Sequence, residues 1–141
     1  MATMRGIDVS SHQGKIDPTK LPQVEFCITK ATEGRTYVNP ECDRVVQLCR
    51  KAGLPWGFYH YARNNDPVAE ADFFVSTCWN YFGEGIPVLD WEEGQSVEWV
   101  NKFLQRVYDK TRVWCWSTEM PGDSTRGRLT RSATDGWRAT L

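Results

Sequence analysis

The sequence predicts an α/β fold built on a parallel sheet, and such a sheet can close into a barrel. Short apolar runs alternate with helical stretches, and successive runs begin roughly 20–30 residues apart. A chain of 141 residues has the length of a single domain. A content of 40% hydrophobic and 25% charged residues is typical of a folded protein and excludes a disordered or collagen-like chain.

Four segments have the composition of strands. Each is short and apolar and contains β-branched or aromatic residues. They are residues 6–10, 26–30, 56–61 and 86–91. In a parallel arrangement their carboxyl ends meet at one edge of the sheet.

Three segments between and after these runs are predicted to be helical. They are residues 40–52, 68–82 and 96–110. In the first, Val45 and Cys49 lie on one apolar face. Gly53 and Gly83 follow the first two helices as stop signals, and Ser96 is a capping residue for the third.

The charge balance argues against a nucleic-acid partner. Seventeen basic and eighteen acidic residues give a net charge of −1, whereas proteins that neutralise phosphates are usually basic.

No apolar run approaches the roughly 20 residues of a membrane-spanning helix, so we expect no membrane insertion. No secretory signal is visible, because the first residues lead into residues 6–9 without an apolar segment.

The cysteines are expected to be buried, unreactive thiols. They are Cys27, Cys42, Cys49, Cys78 and Cys115. An odd, scattered set without a Cys-x-x-Cys pair argues against a disulfide framework or a zinc site. A nucleophilic pair of a cysteine with His12 or His60 stays open as the less favoured alternative.

Three acids stand where a parallel sheet could carry chemistry. Asp90 and Glu92 end the fourth apolar run, and a strand period of two turns both to the same side. Two close carboxylates suit glycosidic cleavage, because one can protonate the leaving oxygen while the other stabilises positive charge. An ordinary acidic loop explains this pair equally well. Asp8, inside the first apolar run, either lines the same cavity or is a hydrogen-bonded structural aspartate.

Aromatic and polar residues gather after the second and third runs, in residues 30–34 and 59–63. Flat aromatic faces beside carboxylates are a common way to stack sugar rings. Several of these aromatic residues, Phe58 above all, are equally expected in the core.

Six segments occur in the order and spacing of a known family. They are GIDVSSHQGKID (6–17), FCITKATEG (26–34), YVNP (37–40), AGLPWGFYHYAR (52–63), ADFF (71–74) and IPVLDWE (86–92). Through them the chain resembles the glycoside hydrolase family 25 lysozymes, the Chalaropsis-type N-acetylmuramidases, over residues 5 to about 111. Each segment alone is weak, whereas the ordered set is specific.

The resemblance implies cleavage of the β-1,4 bond between N-acetylmuramic acid and N-acetylglucosamine in peptidoglycan. The implied fold is a modified, TIM-like β/α barrel with few helices. By motif position, Glu92 would be the general acid, and Asp90 would stabilise the positive intermediate or orient the acetamido group of the substrate. Asp8 would complete the acidic floor of the cleft.

The resemblance also places Glu33, Tyr59 and Tyr61 near the sugar groove. It implies no metal and no organic cofactor. The partner would be the glycan strands of a cell wall, acted on outside the cell or after release by a phage.

Residues 112–141 depart from this pattern, with three Val or Leu residues, five arginines and eight serines or threonines. One interpretation is a disordered polar tail. Another is a shifted reading frame, because reading residues 113–117 from the third base of each codon can give an apolar run typical of a buried strand. Family domains are longer, so we expect a barrel that lacks its last strands. The chain is then either an active muramidase or an inactive, truncated fragment that at most binds cell-wall glycan.

Overall fold

The computed structural model describes residues 3–9, 17–21, 24–118, 128–132 and 136–140. In these ranges the strands are β1 (Thr3–Val9), β2 (Phe26–Glu33), β3 (Tyr37–Val38), β4 (Trp56–Tyr61), β5 (Ile86–Asp90), β6 (Trp116–Ser117), β7 (Arg128–Ser132) and β8 (Gly136–Thr140). The helices are α1 (Cys42–Ala52), α2 (Pro67–Cys78) and α3 (Val97–Thr111). Short 3-10 turns cover Pro18–Lys20 and Trp79–Tyr81.

Seven of these strands form a closed ring. Their order is β1-β8-β7-β6-β5-β4-β2, and β1 also pairs with β2, while β3 pairs with β2 outside the ring. The pairs from β1 through β2, β4, β5 and β6 to β7 are parallel, and β8 runs antiparallel to both of its neighbours. The predicted α/β fold of TIM-like type is confirmed.

The TIM-like fold is incomplete, as predicted, but the ring is closed by a pair of strands where the sequence led us to expect none. Within the described ranges α3 is the last helix, and the antiparallel pair β7–β8 occupies the part of the ring between β6 and β1. Both strands of this pair lie in the polar segment for which the sequence suggested a disordered tail or a shifted frame. The origin of that segment stays a prediction.

Ser96 and Gly53 bound their helices as predicted, and Asp66, which the sequence analysis did not single out, caps α2. Asp66 accepts a hydrogen bond from the Ala69 N–H at 2.9 Å at the start of α2, and Ser96 accepts one from the Trp99 N–H at 3.1 Å at the start of α3. Gly53 ends α1 with φ 67°, a left-handed conformation that glycine adopts without steric cost. The second predicted helix is shorter than expected, because α2 ends at Cys78 and gives way to the 3-10 turn.

The sheet separates two clusters of buried side chains. The larger lies between the sheet and the helices and includes Phe58, Phe74 and Phe103. The smaller lies on the other face and consists of Phe26, Ile28, Tyr59 and Val88, with Tyr61 and Trp116 packed against it. All five cysteines are free thiols, and their predicted burial is confirmed. No helix of the described ranges combines the length and apolar character needed to cross a membrane.

Candidate active site

Three of the predicted site residues lie side by side at the carboxyl edge of the sheet. Glu33, Tyr61 and Asp90 are the last residues of β2, β4 and β5. Glu33 is in register with Tyr61, and Tyr61 is in register with Asp90. The parallel sheet therefore brings together residues that are far apart in the sequence.

The two acids at the end of β5 lie in different environments. Asp90 is 1% exposed, and its backbone carbonyl accepts the Ala62 N–H at 2.8 Å. Glu92 is exposed and lies in the loop between β5 and α3. Because β5 ends at Asp90, the strand period of two does not extend to Glu92, whose direction depends on the loop.

Tyr61 connects the aromatic cluster to these acids. Its ring packs against the smaller cluster, and the residue is half-buried. Burial raises the pKa of Tyr61, and the negative charges of Glu93, Glu92 and Asp90 raise it further. The phenol therefore keeps its proton at neutral pH and offers a hydroxyl donor beside the carboxylates.

Glu33 is held by two cations. Its Oε1 accepts a hydrogen bond from Lys30 Nζ at 2.5 Å, and its Oε2 accepts one from Arg63 Nη2 at 2.9 Å. Burial works against ionisation, but the bonds from Lys30 and Arg63 outweigh it and hold the pKa of this carboxyl below its usual value. A carboxylate stabilised in this way is a poor proton donor and a good anchor for its partners.

Sequence reasoning did not assign roles to three residues around Glu33. The Lys30 ammonium lies 5.2 Å from the ring centroids of both Tyr37 and Tyr61, within the range of a cation–π contact. Tyr37 is 39% exposed. Arg63 also binds Glu93 through Nη1 at 2.5 Å. The sequence does contain a signal for the position of Tyr37. Gly34, which has φ 61°, marks a turn, and this turn brings Tyr37 back alongside β2 in register with Glu33.

The other two predicted residues lie lower in the sheet. Tyr59 is 5% exposed and belongs to the smaller cluster with Ile28 and Val88. Asp8 is in β1 and in register with Ile28; its side chain lies outside the described residues. The structure thus brings Glu33, Tyr61 and Asp90 to one edge with Glu92 in the adjoining loop, and places Tyr59 beneath them.

The described residues contain no cluster of three or more histidine, cysteine or acidic side chains arranged to hold a metal ion. The chemistry that the edge can perform is acid–base chemistry. An exposed glutamate can transfer a proton to a bound substrate, and a buried aspartate nearby can stabilise positive charge.

Comparison with known proteins shows the family of the chain. The family model described as "Glycosyl hydrolases family 25" matches residues 7–119. The autolytic lysozyme of Clostridium acetobutylicum is 36% identical over 110 residues, which make up 75% of this chain and 34% of that protein. The N,O-diacetylmuramidase of a Chalaropsis species is 29% identical over 131 residues, covering 77% of this chain and 62% of that protein.

A solved structure has the same fold. The family GH25 lysozyme from Aspergillus fumigatus superimposes with a TM-score of 0.70 at 28% identity, covering 83% of this chain and 66% of that one. The chain spans about a third of the length of the clostridial lysozyme. The family model nevertheless covers most of the sequence, including every acid discussed above. The chain therefore belongs to glycosyl hydrolase family 25.

Proposed function

We propose that the protein is a lysozyme that hydrolyses the β-1,4 bond between N-acetylmuramic acid and N-acetylglucosamine in peptidoglycan. The observation that carries the proposal is the pair of acids at the end of β5. Asp90 is buried at the strand end, and Glu92 is exposed two residues later. Membership of a family whose relatives include lysozymes and a muramidase supports the same reaction.

Glu92 is the general acid in this proposal. A general acid must reach the leaving oxygen of the substrate directly, and an exposed side chain in a loop at the sheet edge can do so. The alternative donor at this edge, Glu33, is already bound to Lys30 and Arg63. Its lowered pKa keeps it ionised, without the proton that a general acid must donate.

Asp90 stabilises the positive charge that develops on the sugar, or orients the acetamido group of the substrate. Its burial places the carboxylate in a region of low dielectric constant, where its field acts strongly on a nearby charge. Asp8 completes the acidic floor. Tyr61 offers a ring and a hydroxyl to the sugar, while Glu33 and Tyr59 support the groove.

The substrate partner is the glycan strand of a bacterial cell wall. The protein acts on that wall from outside the cell or after release by a phage. Aromatic surface supports a sugar ligand, since Tyr61 and the 39%-exposed Tyr37 lie beside the acids.

The deciding experiment incubates the purified chain with bacterial peptidoglycan and measures new reducing ends. We expect release by the wild-type chain and a loss of at least about a hundredfold in Glu92→Gln, which keeps the shape and removes the acid. Glu98→Gln is the matched control, because Glu98 is an exposed glutamate on α3 whose contact is Lys102, at 3.1 Å. It should retain full activity.

Two results contradict the proposal. A folded wild-type chain without activity is an inactive fragment, and co-sedimentation with peptidoglycan then tells whether it still binds glycan. Equal activity of the wild-type chain and Glu92→Gln assigns the proton transfer to another residue.

A further inference from the structure

A buried carboxylate on α2 takes no part in the mechanism above. The side chain of Glu70 is 0% exposed. Its Oε1 accepts hydrogen bonds from His60 Nε2 at 2.8 Å and from the backbone N–H of Arg63 at 3.0 Å, and its Oε2 accepts the backbone N–H of Asn65 at 3.0 Å. Three N–H groups therefore donate to one carboxylate, and the oxygens of an ionised carboxylate can accept all three hydrogen bonds.

His60 is oriented from both sides. Its ring is 0% exposed and stacks on Phe103 at 5.1 Å, and its Nδ1 lies 2.7 Å from the Thr32 hydroxyl. Burial lowers the pKa of His60, and the hydrogen bond to Glu70 opposes this effect without cancelling it. A neutral ring satisfies both contacts when Nε2–H donates to Glu70 and Nδ1 accepts the hydroxyl proton of Thr32.

Glu70 fixes the shape of residues 62–65, the loop that follows β4. Two of the backbone N–H groups of this loop, those of Arg63 and Asn65, donate to its carboxylate. The loop is held on its other side by α3, because the indole N–H of Trp99 donates to the carbonyl of Asn65 at 2.7 Å. Its backbone therefore has partners on both sides.

This loop in turn holds the loop that carries Glu92. Arg63 Nη1 binds Glu93 Oε1 at 2.5 Å, and Asn64 Nδ2 donates to the Glu93 carbonyl at 3.1 Å. Gln95 Nε2 donates to the Ala62 carbonyl at 3.3 Å. The residue directly after Glu92 is thus fixed through both its side chain and its backbone.

We propose that Glu70 is a positioning residue for the general acid. It acts through residues 62–65 on Glu93 and so on Glu92, and the proposal rests on the lysozyme function proposed above. Displacing a reacting group by about 1 Å can cost roughly a hundredfold in rate. Packing alone does not explain Glu70, because an apolar side chain fills a buried helix position without the cost of burying a charge.

The first test is Glu70→Gln, which keeps the size of the side chain. Its amide donates where a carboxylate oxygen accepted, so one of the three N–H groups loses its acceptor. We expect kcat on peptidoglycan to fall about ten- to a hundredfold while KM stays within about twofold, the range typical of a lost supporting contact. Asp72→Asn is the matched control. It removes a carboxylate of the same helix that is bound to Arg106 at 2.7 and 3.2 Å, and should leave kcat unchanged.

A second test asks whether Glu70 acts through the side chains of Arg63 and Asn64. In a background of Arg63→Ala and Asn64→Ala both direct side-chain links to Glu93 are cut, so Glu70→Gln should lower kcat by less than about threefold further. Losses that multiply in the combined variant would show that Glu70 acts separately from these links, and would overturn the proposal.

The Trp99 indole N–H supplies a spectroscopic signature of the loop. Its ¹⁵N–¹H signal, assigned by its disappearance in Trp99→Phe, should shift in Glu70→Gln and stay in place in Asp72→Asn. Trp99→Phe is also the substitute test if Glu70→Gln does not fold. It keeps a ring to stack on Phe103 and removes the bond to Asn65, so kcat should fall several-fold at unchanged KM.

The outcomes separate the two proposals. An active wild-type chain with an equally active, folded Glu70→Gln overturns the role of Glu70 alone. If Glu70→Gln does not fold, full activity of Trp99→Phe overturns the positioning role, because it shows that the shape of the loop 62–65 does not affect catalysis. An inactive wild-type chain overturns the lysozyme function and the positioning role together.

Discussion

Three carboxylates at one edge of the sheet differ in what surrounds them. Glu33 is held by Lys30 and Arg63, Asp90 is buried, and Glu92 is exposed. The environment of a carboxylate decides whether it holds a neighbour, stabilises a charge or transfers a proton. The division of labour that we propose follows from these differences.

The bonds of Glu33 predict a dependence of stability on pH. The pKa of Glu33 lies below its usual value in the folded chain, so its contribution is fully present above the unfolded pKa of about 4.3 and is lost as the pH falls through the folded pKa. Urea unfolding of the wild-type chain and Glu33→Gln should therefore differ most near pH 7 and converge as the pH falls through the lowered pKa of Glu33. A difference that is constant over this range would contradict the prediction.

The phenol of Tyr61 predicts an effect on catalysis. Tyr61→Phe keeps the ring in its cluster and removes the hydroxyl beside Asp90 and Glu92, so we expect kcat to fall about tenfold without loss of stability. Steady-state kinetics on peptidoglycan measure this. Tyr108→Phe is the control, because that ring stacks on Trp114 at 4.0 Å near the end of α3 and should keep its contact. Full activity of Tyr61→Phe would exclude a role for the hydroxyl.

Elements with strong local signals were predictable from the sequence. The strand Trp56–Tyr61 has its predicted bounds, and Ser96 caps α3 as expected. β3 and β6 were missed, because each has only two residues and no pattern can form over that length. β7 was missed because its sequence, RLTRS, has little apolar character.

The candidate site was predictable only in part, because some of its residues follow a local sequence pattern and others are brought together only by the fold. Asp90 and Glu92 follow an apolar run, which is a local signal for the end of a parallel strand. In the sequence Glu70 is indistinguishable from an exposed glutamate on a helix. Its burial results from the packing of α2 against the loop after β4. Arg63 similarly acquires its partners, Glu33 and Glu93, from residues 30 positions away in either direction.

The cap of α2 predicts a modest loss of stability. Asp66→Ala removes the acceptor for the Ala69 N–H and should lower the free energy of unfolding by about 1 kcal/mol. Asp66→Asn retains an acceptor oxygen and should lose much less. Urea denaturation at neutral pH compares the two, and equal stability of Asp66→Ala and the wild-type chain would contradict the prediction.

At the scale of the whole molecule, the ring depends on the pair β7–β8. β8 lies between β7 and β1, and Ala139 is in register with Met4 on one side and Leu129 on the other. An open ring would leave unpaired backbone groups on β1 and β6, which favours association between molecules. The backbone pairing of β7 and β8 therefore closes the ring.

Closure of the ring predicts that β8 does not tolerate proline. Ala139→Pro removes a backbone N–H inside the sheet and should lower the free energy of unfolding by roughly 1–3 kcal/mol and promote aggregation. Ala139→Val keeps the N–H and is the matched control. Denaturation midpoints and light scattering measure both effects, and a proline variant as stable and monodisperse as the valine variant would show that this pairing does not hold the ring.

The buried cysteines have a practical consequence. Their residues are between 0 and 5% exposed. Burial raises the pKa of Cys42 to about 12, whereas a hydrogen bond with Cys27 lowers the pKa of Cys49. The shared feature that keeps a thiol-directed reagent from these sulfurs in the closed molecule is therefore their burial. The sulfurs are distributed over β2, α1, α2 and the segment before β6. The rate at which each becomes alkylated, followed by mass spectrometry of peptides, would therefore record the order in which these parts of the native chain open, without any introduced label.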